Sequence, residues 1–70
     1  MFADRLRERR SALGLSQFGV ASRVGVTPQT IAAWEHGRTS PTLVQLDRLA
    51  SALRCRAAWL LDGAGSVEAA

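Results

Sequence analysis

Residues 16–38, SQFGVASRVGVTPQTIAAWEHGR, constrain this chain more than any other stretch. Ser16 is a good helix N-cap, and Val20, Ala21 and Val24 recur behind it at helical spacing, so a helix is expected over about 17–24. Gly25 then supplies the left-handed backbone of a sharp turn. Thr27-Pro28 opens a second helix: threonine caps it, and proline fills the first helical position, where no N–H is missed. Ile31 and Trp34 form its inner face, and Gly37 ends it, which predicts a helix over 28–36. Ala21 is small enough to let another helix approach closely.

Three further helices surround this pair. The first is expected over about 2–13, with Phe2, Leu6 and Leu13 as an apolar stripe and Gly14 as the stop. Arg10 falls on that stripe, so its guanidinium must either snorkel to water or find an acid. Glu35, four after Ile31 and adjoining Trp34, also lies near a buried side and is the expected partner. Ser40-Pro41 repeats the cap-plus-proline signal and predicts a helix over 41–53 with the stripe Leu43, Leu46, Leu49, Ala50 and Leu53. A short last helix over 57–62 carries Trp59, Leu60 and Leu61 and stops at Gly63. The residues after it, AGSVEAA, are small and aperiodic. The expectation is a single all-α domain over 1–63 and a flexible tail over 64–70. Trp34, Trp59 and Cys55 read as core, whereas Phe18 lies off the inner face.

The inventory of residues narrows the chemistry. One cysteine and one histidine, Cys55 and His36, make neither a disulfide nor a metal knuckle, and no acid/base or nucleophile constellation is present. No cofactor, metal or small-molecule ligand is expected, and the chain does not read as an enzyme. No apolar run approaches the ~20 residues that span a bilayer, and the Arg-rich opening is unlike a signal peptide, so a cytoplasmic location is expected. All nine basic residues are arginine. Phosphate contact explains this; so does a GC-rich genome, which favours Arg and Ala codons. The distribution says more. Six arginines face three acids in residues 1–38, and three face three in residues 39–70, so the whole net charge of +3 lies in the half with the two-helix segment. That is the sign and place for a polyanionic partner.

Two helices joined by a short glycine turn make a shape that fits the DNA major groove. The pieces RLRERRSALGLSQ, Ala21, Gly25, TPQTIAAWEHGRTSP, LDRLASAL and WLLDG together resemble the phage-repressor (XRE or Cro-type) helix-turn-helix family, from about Arg5 to Gly63. The resemblance implies a compact five-helix, lambda-repressor-like DNA-binding domain with helices 2 and 3 as the helix-turn-helix. It implies a homodimer on double-stranded operator DNA, acting as a transcriptional regulator of the repressor kind. Carried over by position, Pro28, Gln29, Thr30 and Ala33 face the bases. Arg10, Gln17, Thr27 and Arg38 contact phosphate, and Arg10 and Glu35 form a structural ion pair. The chain departs from the family at Phe18 and Gly19, where polar or acidic residues are common. It departs again at Arg54, in a position usually held by glycine, and at Arg56, where a small cap is usual; the fifth helix is therefore expected to be less well capped.

Gln29 carries a donor and an acceptor on one amide and matches adenine N6 and N7; its other reading is a solvated first-turn residue. Arg5, Arg7, Arg9 and Arg23 are expected to form a solvated face. A second reading of the chain is an antitoxin-like or adaptor interaction module that uses the motif for autoregulation. A restriction-modification controller is a third, within the DNA-binding class.

Overall fold

The computed structural model describes residues 1–65 and 67. Its helices are α1 (Phe2–Ala12), α2 (Gln17–Val24), α3 (Pro28–Glu35), α4 (Leu43–Ala52) and α5 (Ala57–Asp62). The starts of α2 and α3 follow from their caps. Ser16 Oγ accepts from Gly19 N at 2.9 Å and Thr27 Oγ1 from Thr30 N at 3.2 Å, each satisfying one of the N–H groups a helix start leaves open. Between them Gly25 holds φ +89°, and the N–H groups of Gly25 and Val26 both return to Ala21 O. A side chain at Gly25 would oppose that backbone, so the turn angle rests on this glycine.

The expected opening of α4 is corrected. The helix begins at Leu43, not at Pro41, because Thr42 is the cap. Thr42 Oγ1 accepts from Gln45 N at 3.2 Å while Gln45 Oε1 accepts from Thr42 N at 2.8 Å, a reciprocal capping box that Ser40-Pro41 cannot make. Leu43 consequently sits in the first turn, 82 % exposed, and does not join the buried stripe of Leu46, Leu49, Ala50 and Leu53. His36 lies one residue beyond α3, as its C-cap.

The core gathers Leu6 from α1, Val20, Ala21 and Val24 from α2, Ile31 and Trp34 from α3, the α4 stripe, Cys55 and Leu60. Burial pushes the Cys55 thiol up, against the charge of Arg9, so it stays a neutral apolar filler. Trp59 packs half-buried at the margin, and Phe18 is 71 % exposed. Of the expected tail, residues 66 and 68–70 lie outside the described residues; Val67 packs against the core, and its carbonyl accepts from Arg56 N at 3.0 Å.

Two arginines expected on a solvated face have structural roles instead. Arg5 donates through Nε to Leu60 O and through Nη2 to Leu61 O, at 3.0 and 2.6 Å. Arg9 donates through Nε to Leu53 O and through Nη2 to Arg54 O, at 2.9 and 3.1 Å. Both cover carbonyls that the ends of α5 and α4 leave without partners, and both place positive charge at the negative end of a helix. Arg7 remains on the surface, paired with Asp4. Arg54 occupies the left-handed residue after α4 with φ +51°, the one non-glycine at positive φ among the described residues. A non-glycine residue there costs about 1–2 kcal/mol. Cys55 N bonding to Ala50 O and Arg54 N bonding to Ser51 O hold the turn closed. Arg56 makes no side-chain cap for α5, as expected from the sequence.

Candidate nucleic-acid interface

α3 is built with one face in the core and one in solvent. Ile31 and Trp34 are buried, and Glu35 beside them is buried and charged. Gln29 is exposed, Pro28, Thr30 and Ala33 are half-exposed, and Gln29 and Ala33 lie one turn apart on the outer face. The Gln29 amide makes no hydrogen bond among the described residues, so both its donor and its acceptor face outward. Thr27 and Thr30 are brought together: their hydroxyls lie 2.9 Å apart, so one donates to the other and the pair keeps a single proton to offer elsewhere. Neither α2 nor α3 has an acid in its first turn, which leaves the positive end of each helix dipole uncompensated.

The inner side of α3 is fixed by charge. Arg10 donates through Nε to Glu35 Oε2 at 2.5 Å and through Nη2 to Glu35 Oε1 at 3.1 Å, a bidentate pair joining α1 to α3. Nη1 donates to Leu15 O at 3.0 Å, and Gln17 Nε2 donates to Glu35 Oε1 at 3.1 Å. The side chains are 17 % exposed at Arg10 and 2 % at Glu35. The expected ion pair is therefore present. Gln17 is an addition to it: nothing near Gln17 in the chain signals that the amide of α2's first residue turns inward. Two guanidinium N–H groups of Arg10, one amide N–H of Gln17 and the Gln17 carbonyl oxygen remain uncommitted. Arg38 stands apart in the exposed loop after α3. His36, unassigned from sequence, donates through Nδ1 to Ala32 O at 2.7 Å and covers an end carbonyl of α3.

Burial works against the Glu35 charge, but the hydrogen bonds from Arg10 and Gln17, with the charges of Arg10 and Arg7, outweigh it and hold the carboxyl below the usual glutamate range. The hydrogen bond from Glu35 in turn raises Arg10, against the cost of its own burial. Since the folded value of Glu35 lies below the unfolded value of about 4.3, the stability it contributes is complete above that pH and is lost as pH falls through the folded value. We expect the urea midpoint to drop as the pH falls below about 4.3, and to drop less in Glu35→Gln. Parallel pH profiles for the two proteins would take Glu35 out of the acid response.

A helix-turn-helix family model matches residues 6–60. Among curated relatives, an uncharacterized HTH-type transcriptional regulator of Methanothermobacter thermautotrophicus is 56 % identical over 48 residues, covering 69 % of this chain and 70 % of that protein. The (S)-2-hydroxypropylphosphonic acid epoxidase of Streptomyces wedmorensis is 39 % identical over 93 % of this chain, which spans 33 % of the enzyme. Among solved structures, the P22 c2 repressor of a Salmonella phage, in complex with a synthetic operator, superposes with a TM-score of 0.88 at 35 % identity, over 90 % of this chain and 96 % of that one. The full-length repressor is longer, and this chain spans 29 % of it. With the family match running from α1 into α5 and the capped α2–turn–α3 unit at its centre, this chain belongs to the XRE-type helix-turn-helix family.

Proposed function

We propose that this chain is a sequence-specific double-stranded DNA-binding transcriptional regulator, a repressor by occupancy, that reads an operator half-site in the major groove with the front of α3. The observation that carries this reading is the two-sidedness of α3. Its inner side is locked by Trp34, Ile31 and the Arg10–Glu35–Gln17 network, while Gln29 presents an unused amide from the opposite side. A rigid mount matters because base-edge hydrogen bonds require fixed geometry. Pro28, Thr30 and Ala33 offer apolar and hydroxyl surface to bases beside Gln29. Arg10, Gln17, Thr27 and Arg38 position the domain on phosphate, together with the open N–H groups at the starts of α2 and α3.

Two copies on a palindromic site would place their α3 helices about 34 Å apart. The similarity to a repressor seen on its operator supports this arrangement. The likeness to the epoxidase involves a third of that enzyme and supports a helical domain in common rather than its reaction. Among the described residues no helix is long and apolar enough to cross a membrane, which suits work on DNA in the cytoplasm.

The test is selection of bound sites from random duplexes, followed by titration of the variants. Gln29→Ala should lose about 1–3 kcal/mol of discrimination at one base pair per half-site while keeping its non-specific affinity. Arg38→Ala should weaken every sequence alike and reduce the salt slope by about one. Indistinguishable effects of the two changes across all operators would contradict the assignment, and no duplex binding at any salt would end the reading.

A further inference from the structure

A shallow cleft of about 230 Å³ opens where the loop between α1 and α2 meets the ends of α2 and α4. Leu13, Leu15 and Ala52 line it and pack against the core, and Arg23 and Arg54 line it as exposed residues. The α1 arginines Arg5, Arg7, Arg9 and Arg10 all donate to named acceptors. The guanidinium groups of Arg23 and Arg54 have no hydrogen-bond or ion-pair partner among the described residues. Two uncommitted guanidinium groups thus border an apolar floor.

The backbone adds an independent observation. Arg54 holds φ +51°, where glycine would sit without strain. Arg9 Nη2 bonding to Arg54 O and the closed turn after α4 keep it there, which fixes the direction in which its side chain leaves the backbone. Strain of this kind clusters where a side chain meets a ligand.

We propose that this cleft binds a small carboxylate with a short apolar body. The carboxylate is held between Arg23 and Arg54, and the body lies on Leu13, Leu15 and Ala52. The size of the cleft, below the ~300–1,000 Å³ of pockets for drug-sized ligands, sets the scale of the occupant. Planar guanidinium groups match a carboxylate by paired N–H donors. None of the residues assigned to DNA lines the cleft, so the proposal does not rest on DNA binding, and occupancy leaves α3 free.

Hexanoate is the probe, followed by amide shifts of the isotopically labelled protein, with 1-hexanol and sulfate as controls. Hexanoate should shift the Leu15 and Ala52 amides saturably, with Kd within about tenfold of 1 mM. Arg23→Gln and Arg54→Gly should each weaken it about tenfold, the loss of one charge-assisted contact. Arg54→Gly should at the same time raise Tm by roughly 4 °C, since it relieves the backbone; gain of stability with loss of binding is the signature a purely structural arginine would not give. The proposal is overturned by absent or unsaturable shifts, by equal titration with hexanol (an apolar dent only) or with sulfate (a charged patch only). Unweakened binding in either variant, or a lowered Tm in Arg54→Gly, overturns it as well.

Discussion

Methionine in place of Arg10 is expected to lower the unfolding free energy by about 3–5 kcal/mol. The change strips two donors from Glu35, whose side chain is 2 % exposed, and leaves it with the single Gln17 contact. It also frees Leu15 O of its partner. An unpaired carboxylate at that depth must either desolvate or take up a proton, and each route is unfavourable at neutral pH. Against a total of about 5–15 kcal/mol for a small domain, the loss is large enough to unfold much of the population near body temperature. The double variant Arg10→Met, Glu35→Leu should recover most of the stability, because two apolar side chains of similar volume can replace a buried pair. Chemical denaturation of the four proteins in the cycle measures this. If the two single changes simply add, no coupling joins α1 to α3 at this point.

Trp34→Ala is the second large effect, about 3–5 kcal/mol. Trp34 is 2 % exposed and lies on the side of α3 opposite Gln29. Its loss opens a cavity that a domain of this size has few neighbouring side chains to fill. Helix α3 has eight residues, too few to be stable alone, so it depends on packing to stay formed. Thermal melting by circular dichroism should fall by more than 10 °C, on the order of 4–8 °C per kcal/mol. A melt within a few degrees of the parent would mean that the neighbours collapse into the space and that Trp34 is not what holds α3 down. Trp34→Phe, which keeps most of the apolar volume, should fall between the two.

The elements whose limits depend on side chains near in sequence are legible from the sequence alone. Ser16, Thr27-Pro28 and Gly25 act within four residues of themselves, and α2, the turn and the start of α3 sit where those residues place them. The Arg10–Glu35 pair was legible too, because both charges fall on apolar stripes and have no other acid or base in the same position. Ser40-Pro41 misled because it is a valid start signal in isolation; Thr42 and Gln45, forming a reciprocal pair, outcompete it. Sequence alone leaves Arg5 and Arg9 on a solvated face because nothing local distinguishes an arginine in water from one whose fork reaches a carbonyl 44 or 55 residues away. The same reach hid the role of Gln17. What a pattern cannot convey is which distant helix end comes to lie beneath a given side chain.

The arginine forks of α1 join that helix to the ends of α4 and α5. During synthesis, at roughly 5–20 residues per second, α1 emerges seconds before Leu53, Leu60 and Leu61 exist to receive it. Until then Arg5 and Arg9 keep their guanidinium groups in water. Arg10 can meet Leu15 and Glu35 as soon as α3 is out, but the rest of α1 is seated only when α4 and α5 arrive, and a nascent chain cut short of α5 lacks the acceptors that Arg5 requires.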